Sequence, residues 1–140
     1  MDIKELKFEI EENPSSMELN FLTNKINNEV VDGHGSAYPF AIFIRNKDGE
    51  ILAGCNGSII FGSIYTDQLW VDPSLRKQGL GKKLMEAVHE HGKKCGCLMA
   101  TITTMSFQVP NFYKKLGYEV DFSREGYVNG ASCIFMSKKL

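Results

Sequence analysis

The 140-residue chain contains no apolar run approaching the ~20 residues needed to cross a membrane. Its first residues, Met1-Asp2-Ile3-Lys4-Glu5, are charged and lack the apolar centre of a secretion signal, so a cytoplasmic protein with no membrane partner is expected. An excess of either charge is also missing: 16 Lys and Arg stand against 17 Asp and Glu. That balance excludes a global basic field for nucleic acid, and any anion site must be built locally. Cysteine is sparse. Cys55, Cys95, Cys97 and Cys133 are too few for a disulfide scaffold, and Cys95-Gly96-Cys97 is one residue tighter than a Cys-x-x-Cys pair. All four are expected to be reduced, buried small residues. Histidine is scarcer still. His89 and His91 stand about 200° apart around a helix and cannot share a metal, and no metal site is expected.

What is present fits one compact domain over residues 1–140. Residues 3–10 carry apolar side chains at 3, 6, 8 and 10, which predicts a first strand. Pro14-Ser15-Ser16 then opens a helix, capped by Ser15 or Ser16, with Leu19, Leu22, Ile26 and Val30 at helical spacing. It fades near the loop Asp32-Gly33-His34-Gly35. Tyr38 to Ile44 and the residues from Ile51 onward predict a hairpin with Gly49 in the left-handed position. Residues 50–60 and 63–71 predict two strands parted by Phe61-Gly62. From Gly79 to Lys94, Leu80, Leu84, Ala87, Val88 and His91 fall on one helical face, and Cys95-Gly96 ends that helix. A strand over 97–103, a short helix over about 107–116, a strand from Gly117, a turn at Asn129-Gly130 and a last strand over 131–138 complete the chain. Strand, helix and strand over 63–103 imply one parallel pair in an otherwise antiparallel sheet.

The segment Leu69-Trp70-Val71-Asp72-Pro73-Ser74-Leu75-Arg76-Lys77-Gln78-Gly79-Leu80-Gly81-Lys82-Lys83-Leu84 carries chemistry. A strand ends, a turn follows and a helix opens at Gly-x-Gly, which aims backbone N–H groups and the positive helix terminus into one concavity. Lys82 and Lys83 oppose the macrodipole of the first helical turn, and Arg76 and Lys77 stand just before it. Four cations there suit a polyanion. The Walker pattern fails, because Arg76 and Lys83 occupy positions that need Gly and Ser or Thr. The dinucleotide fingerprint fails at Leu84, and its strand should open a doubly wound sheet rather than follow a meander.

Arg76-Lys77-Gln78-Gly79-Leu80-Gly81 resembles the acyl-CoA pyrophosphate loop of the GNAT N-acetyltransferase superfamily. Leu69-Trp70-Val71-Asp72-Pro73 resembles the family's fourth strand with its exit turn, and Phe112-Tyr113-Lys114-Lys115-Leu116-Gly117-Tyr118 its Phe-Tyr-x-Lys-Leu-Gly-Phe/Tyr signature. Order and spacing agree over roughly residues 38–139. The resemblance implies a mixed α/β (α+β) GNAT fold, with a central mixed sheet of six or seven strands flanked by helices on both faces. It implies acetyl-CoA as cosubstrate, no metal, and acetyl transfer to a primary amine of a small molecule or a protein, with homodimerisation frequent among relatives. Backbone groups of Leu69, Trp70 and Val71 would meet the pantetheine arm, and the amide of Val71 would polarise the thioester. Amides of Gln78, Gly79, Leu80, Gly81 and Lys82 would hold the pyrophosphate, with Arg76, Lys77, Lys82 and Lys83 adding charge. Tyr113 would protonate the leaving thiolate. Where many relatives carry Asn, this chain has Ser106, so Ser106 and Asn111 are expected to supply polar contacts.

The base is less defined. Tyr65, Asp67 and Leu69 are expected on one face of the strand and Thr66, Gln68 and Trp70 on the other. Asp67 is the only carboxylate there and is named as base or amine-orienting group. Tyr38, Tyr65 and His34 are candidate acceptor contacts, and residues 20–38 and 123–131 would shape the acceptor site. The alternative is a non-catalytic acyl-CoA-binding sensor, which would bind the cofactor without turnover.

Overall fold

The computed structural model describes residues 2–31 and 33–140, in two compact units, Met1–Val30 and Val31–Leu140. In the first unit, α1 (Ser16–Asn27) opens where the sequence predicts: Ser15 is the N-cap, and its hydroxyl oxygen accepts from the Glu18 amide at 3.2 Å. The strand expected over residues 3–10 does not form. Ile3–Glu5 make a 3-10 turn, and Phe8 and Ile10 are 99% and 94% exposed. Alternating apolar residues suffice for a strand only when a neighbouring ladder satisfies their peptide groups.

The second unit is a six-stranded mixed sheet: β1 (Ala37–Arg45), β2 (Ile51–Ile60), β3 (Ser63–Val71), β4 (Met99–Met105), β5 (Glu119–Arg124) and β6 (Cys133–Lys139). Spatial order is β1-β2-β3-β4-β6-β5, and only β3 and β4 run parallel. Between them runs α2 (Leu80–Lys94), and α3 (Pro110–Lys115) links β4 to β5. The β1–β2 turn places Gly49 at φ 84°, and the β2–β3 turn places Phe61 and Gly62 at 47° and 87°, so both hairpins close with left-handed residues.

One face of the sheet packs under α2 and α3. Ile64, Leu84, Met85, Val88, Ile102 and Met136 are buried there. The buried side of α2 is Leu84, Met85, Val88, His89 and Gly92, rotated from the predicted Leu80, Leu84, Ala87, Val88 and His91. Gly92 sets that rotation. A Cβ at this position would stand 2.7 Å from Ile64 Cγ2, so the glycine lets the helix approach β3 closely.

A β-bulge corrects the expected faces of β3. Asn56 pairs with Gln68 and Gly57 with Thr66, leaving Asp67 as the extra residue. Residues beyond it exchange faces. Thr66, Leu69 and Val71 thus share the α2 side with their partners Gly57, Cys55 and Ala53, while Tyr65, Gln68 and Trp70 share the opposite, open side. Gly57 accommodates the bulge, since any Cβ there would collide with the Tyr65 carbonyl oxygen. Among the described residues, no helix is long and apolar enough to cross a membrane.

Candidate active site

The loop leaving β3 is shaped by local polar bonds. The Asp72 carboxylate accepts from both the hydroxyl and the amide of Ser74, the latter at 3.0 Å, and caps the 3-10 turn Pro73–Leu75. These bonds hold the Asp72 carboxyl below its usual range. Lys77 and Gly79 then adopt φ of 63° and 82°, two left-handed residues around Gln78. A non-glycine residue held there is strained, and such alternation turns successive amides into one concavity. Gly79 is the N-cap of α2 and offers no side-chain acceptor to the first-turn amides, which leaves them available for an anion. Gly81 lets Phe112 lie close: a Cβ there would stand 3.3 Å from its ring.

The charges are partly engaged within the protein. Arg76 Nε donates to the Val71 carbonyl at 2.9 Å, so its guanidinium braces the strand exit. Lys82 reaches Glu86 at 3.8 Å, one helical turn on.

Beside the loop, β3 and β4 splay. Their pairing runs from Ser63 and Met99 to Thr66 and Ile102 and then stops, while β4 continues to Met105 against β6 alone. The Asp72 amide donates to Leu52 of β2 at 2.9 Å. Peptide groups alternate along a strand, so those of Val71 and Leu69 point away from β2 and into the wedge. Leu69, Trp70, Val71, Arg76, Lys77, Gly79, Leu80, Gly81 and Lys82 line a cleft of about 510 Å³, together with Leu75, Val109 and Phe112. The sequence offers no contact role for the last three, because apolar loop and helix residues are indistinguishable from core until the cleft is seen.

Tyr113, on α3, is 7% exposed, its ring edge-on to the cleft residue Phe112 at 5.0 Å and to Tyr118 at 5.7 Å. Burial pushes its phenol up to about 12, with Cys55 and Tyr65 adding smaller effects. Tyr118 is raised further, again by burial, and its hydroxyl meets His89 Nε2 at 2.8 Å. No sequence motif pairs residues 89 and 118. Only the packing of α2 against the start of β5 does.

Other candidates fall elsewhere. Ser106 is tied to Ser132 by two bonds, at 2.8 and 3.0 Å, and lines a separate hollow with Phe107 and residues 128–131. Its hydroxyl closes the β4–β6 end rather than facing the loop. Asn111 is exposed and is not among the residues lining the loop cleft. Lys83 is exposed on the first turn of α2. Asp67 is exposed on the bulge, and Tyr65 bonds Thr103 Oγ1 at 3.0 Å. Tyr38 stands at the far end of β1, opposite Ile59, where it hydrogen-bonds Cys95 beyond the C-terminus of α2. That bond raises its phenol. His34 Nδ1 donates to the Val31 carbonyl oxygen near the same end, where the Ser36 carbonyl accepts from the Phe61 amide. Neither joins the wedge, and Asp32 lies outside the described residues. Cys95 departs from the expectation of burial and is exposed at 3.7 Å from His91 Nε2.

A splayed parallel pair and a helix-opening glycine loop thus share one cleft, and a buried tyrosine packs against Phe112 in its lining. The family described as the acetyltransferase (GNAT) domain matches residues 39–120, more than half of the sequence, and the chain belongs to that family. It is similar to a blasticidin-S acetyltransferase of Streptomyces morookaense, at 29% identity over 72% of this chain and 75% of the relative. A crystal structure of an acetyltransferase from Bacillus cereus is 30% identical, with a TM-score of 0.74 over 94% of this chain and 98% of that one. An aminoglycoside 6'-N-acetyltransferase complexed with coenzyme A shares the fold at 17% identity, with a TM-score of 0.63 and 72% of each chain covered. The protein is an acetyltransferase.

Proposed function

We propose that the chain moves an acetyl group from acetyl-CoA to a primary amine of its acceptor, by direct attack of the neutral amine on the thioester carbonyl. The observation that carries this reading is the wedge. Pairing ends at Thr66 and Ile102, and the peptide groups of Leu69 and Val71 face a gap that leads to the Gly79 loop. The volume and lining suit a phosphate-bearing arm. A relative of the same fold is known as a complex with coenzyme A, which supports the donor.

In this reading the amides of Gln78 to Lys82 hold the pyrophosphate, with Lys77, Lys82 and Lys83 adding attraction. The Val71 amide polarises the carbonyl as charge builds on its oxygen. Asp67, on the bulge, takes the amine proton or orients the amine. The new N–C bond forms, the C–S bond breaks, and sulfur leaves with the electron pair. Tyr113 meets that sulfur. Burial pushes the Tyr113 phenol up to about 12, so it keeps its proton at neutral pH and can donate a hydrogen bond to sulfur as charge develops there.

The test is calorimetric titration with acetyl-CoA, with ATP as control, followed by thiol release with amines. Saturation by acetyl-CoA alone, with turnover, supports the proposal. Binding without turnover of any amine identifies the sensor instead, and no binding refutes both.

A further inference from the structure

We infer that His89 is a positioning residue for acetyl transfer: through Tyr118 it fixes the ring of Tyr113. This rests on the role given to Tyr113 in the reading above.

The phenol of Tyr113 needs support from outside itself. Among the described residues its hydroxyl makes no hydrogen bond, so its orientation depends on what packs against the ring. Two rings do, Phe112 at 5.0 Å and Tyr118 at 5.7 Å, both edge-on. Phe112 is the preceding residue on α3 and moves with Tyr113. Tyr118 comes from beyond the helix, and it alone of the three carries a polar anchor, the 2.8 Å bond between its hydroxyl and His89 Nε2.

The backbone joins Tyr113 and Tyr118 into one piece. The Tyr113 carbonyl accepts from the amides of Leu116 and Tyr118, at 3.0 and 3.1 Å, and Gly117 makes the turn between them at φ 96°. Lys138 of β6 closes that turn by donating to the Leu116 carbonyl at 2.7 Å. A displacement of Tyr118 is therefore passed to Tyr113 through ring and peptide together.

His89 is mounted on a rigid element. It lies on the buried side of α2, one turn before Gly92, where the missing side chain seats the helix against Ile64 of β3. The same helix opens at the Gly79 loop, and its Gly81 lets the Phe112 ring lie close. So α2 meets the α3 segment at two points, Gly81 and His89, about 12 Å apart along its axis. The helix whose first turn faces the donor's phosphates thus also sets the phenol. Apolar side chains would fill the same space without burying polar groups, whereas a satisfied buried pair fixes one geometry.

The test is thiol release from acetyl-CoA with tyramine, spermidine and a lysine-containing peptide, using the amine that wild type turns over fastest. His89→Leu and Tyr118→Phe are each expected to lower kcat about tenfold, inside the ~10²-fold that an ångström of misplacement costs. The Kd for acetyl-CoA in calorimetry should stay within about twofold of wild type, since neither group touches the donor. His89→Gln, whose amide can still bond the phenol, should recover most of the rate. In a Tyr113→Phe background neither change should slow turnover further, because both act through the lost hydroxyl; additive losses would overturn the inference. Gly49→Ala, a destabilised variant in the β1–β2 turn, is expected to keep its kcat, and an equal loss there would assign the effect to stability and overturn it too. Should His89→Leu fail to fold, Tyr118→Phe carries the same comparison. A wild type that does not bind acetyl-CoA, or a Tyr113→Phe variant with full rate, would instead remove the reading on which the inference rests.

Discussion

His89 on α2 and Tyr118 at the start of β5 meet through a 2.8 Å hydrogen bond between Nε2 and the phenol oxygen, and both side chains are buried. The Tyr118 ring in turn stands edge-on to Tyr113. Tyr118→Phe keeps that ring but leaves the imidazole unpartnered in the core. The expected cost is about 1–3 kcal/mol, read as a lower urea midpoint with an unchanged slope.

The same pair makes stability depend on pH. Burial, reinforced by Lys138 and Lys93 against the opposing Glu86 and Glu90, holds His89 below its ordinary 6.5. The unfolded chain therefore takes up a proton before the folded one does. Stability from this group is complete above pH 6.5 and is lost as the pH falls from there through the lowered folded value. Urea midpoints measured on either side of that value should fall on acidification more steeply in the wild type than in His89→Gln.

Removing the Tyr113 hydroxyl should slow turnover by about 10²–10⁴-fold while leaving acetyl-CoA affinity nearly unchanged. With the phenol near 12, no alkaline loss of rate from Tyr113 should appear until the pH is well above neutral. A pH–rate profile of wild type against Tyr113→Phe separates this group from any other that titrates.

Gly57→Ala should be severe, because the new methyl meets a backbone oxygen, that of Tyr65, which cannot move without undoing the bulge. A cost of roughly 3–5 kcal/mol is expected, or failure to fold. Gly49→Ala supplies the contrast. Its space is open and only the left-handed φ of 84° is strained, for about 1–2 kcal/mol. Thermal or urea unfolding of the two variants ranks them.

Thiol labelling under native conditions should find Cys95 fastest. It is exposed, whereas Cys55 and Cys97 are buried, and burial drives the Cys55 thiol up to about 11. The order reverses only if β2 opens before the end of α2 does.

Local signals were legible from residue types alone. Ser15 caps α1, Gly49 and Gly62 close their hairpins, and Gly79-Leu80-Gly81 opens α2, because caps and left-handed turns are decided within a few residues. The glycine loop could be read as a phosphate cradle for the same reason, whereas Tyr113 is named only through the resemblance of Phe112-Tyr113-Lys114-Lys115-Leu116-Gly117-Tyr118 to a family signature. What tertiary structure decided were matters of register and neighbour. The extra residue at Asp67 reverses every side chain beyond it, a change with no signature in alternating polarity. Gly92 sits on the buried side of α2 because Ile64 lies against it, and the period of 3.6 cannot tell that face from one rotated by a residue. Ser106 belongs to Ser132, and Tyr38 to Cys95, partners 26 and 57 positions away. Local chemistry writes turns and helix ends into the sequence, whereas the side of a strand on which a group emerges depends on the pairing of the whole sheet.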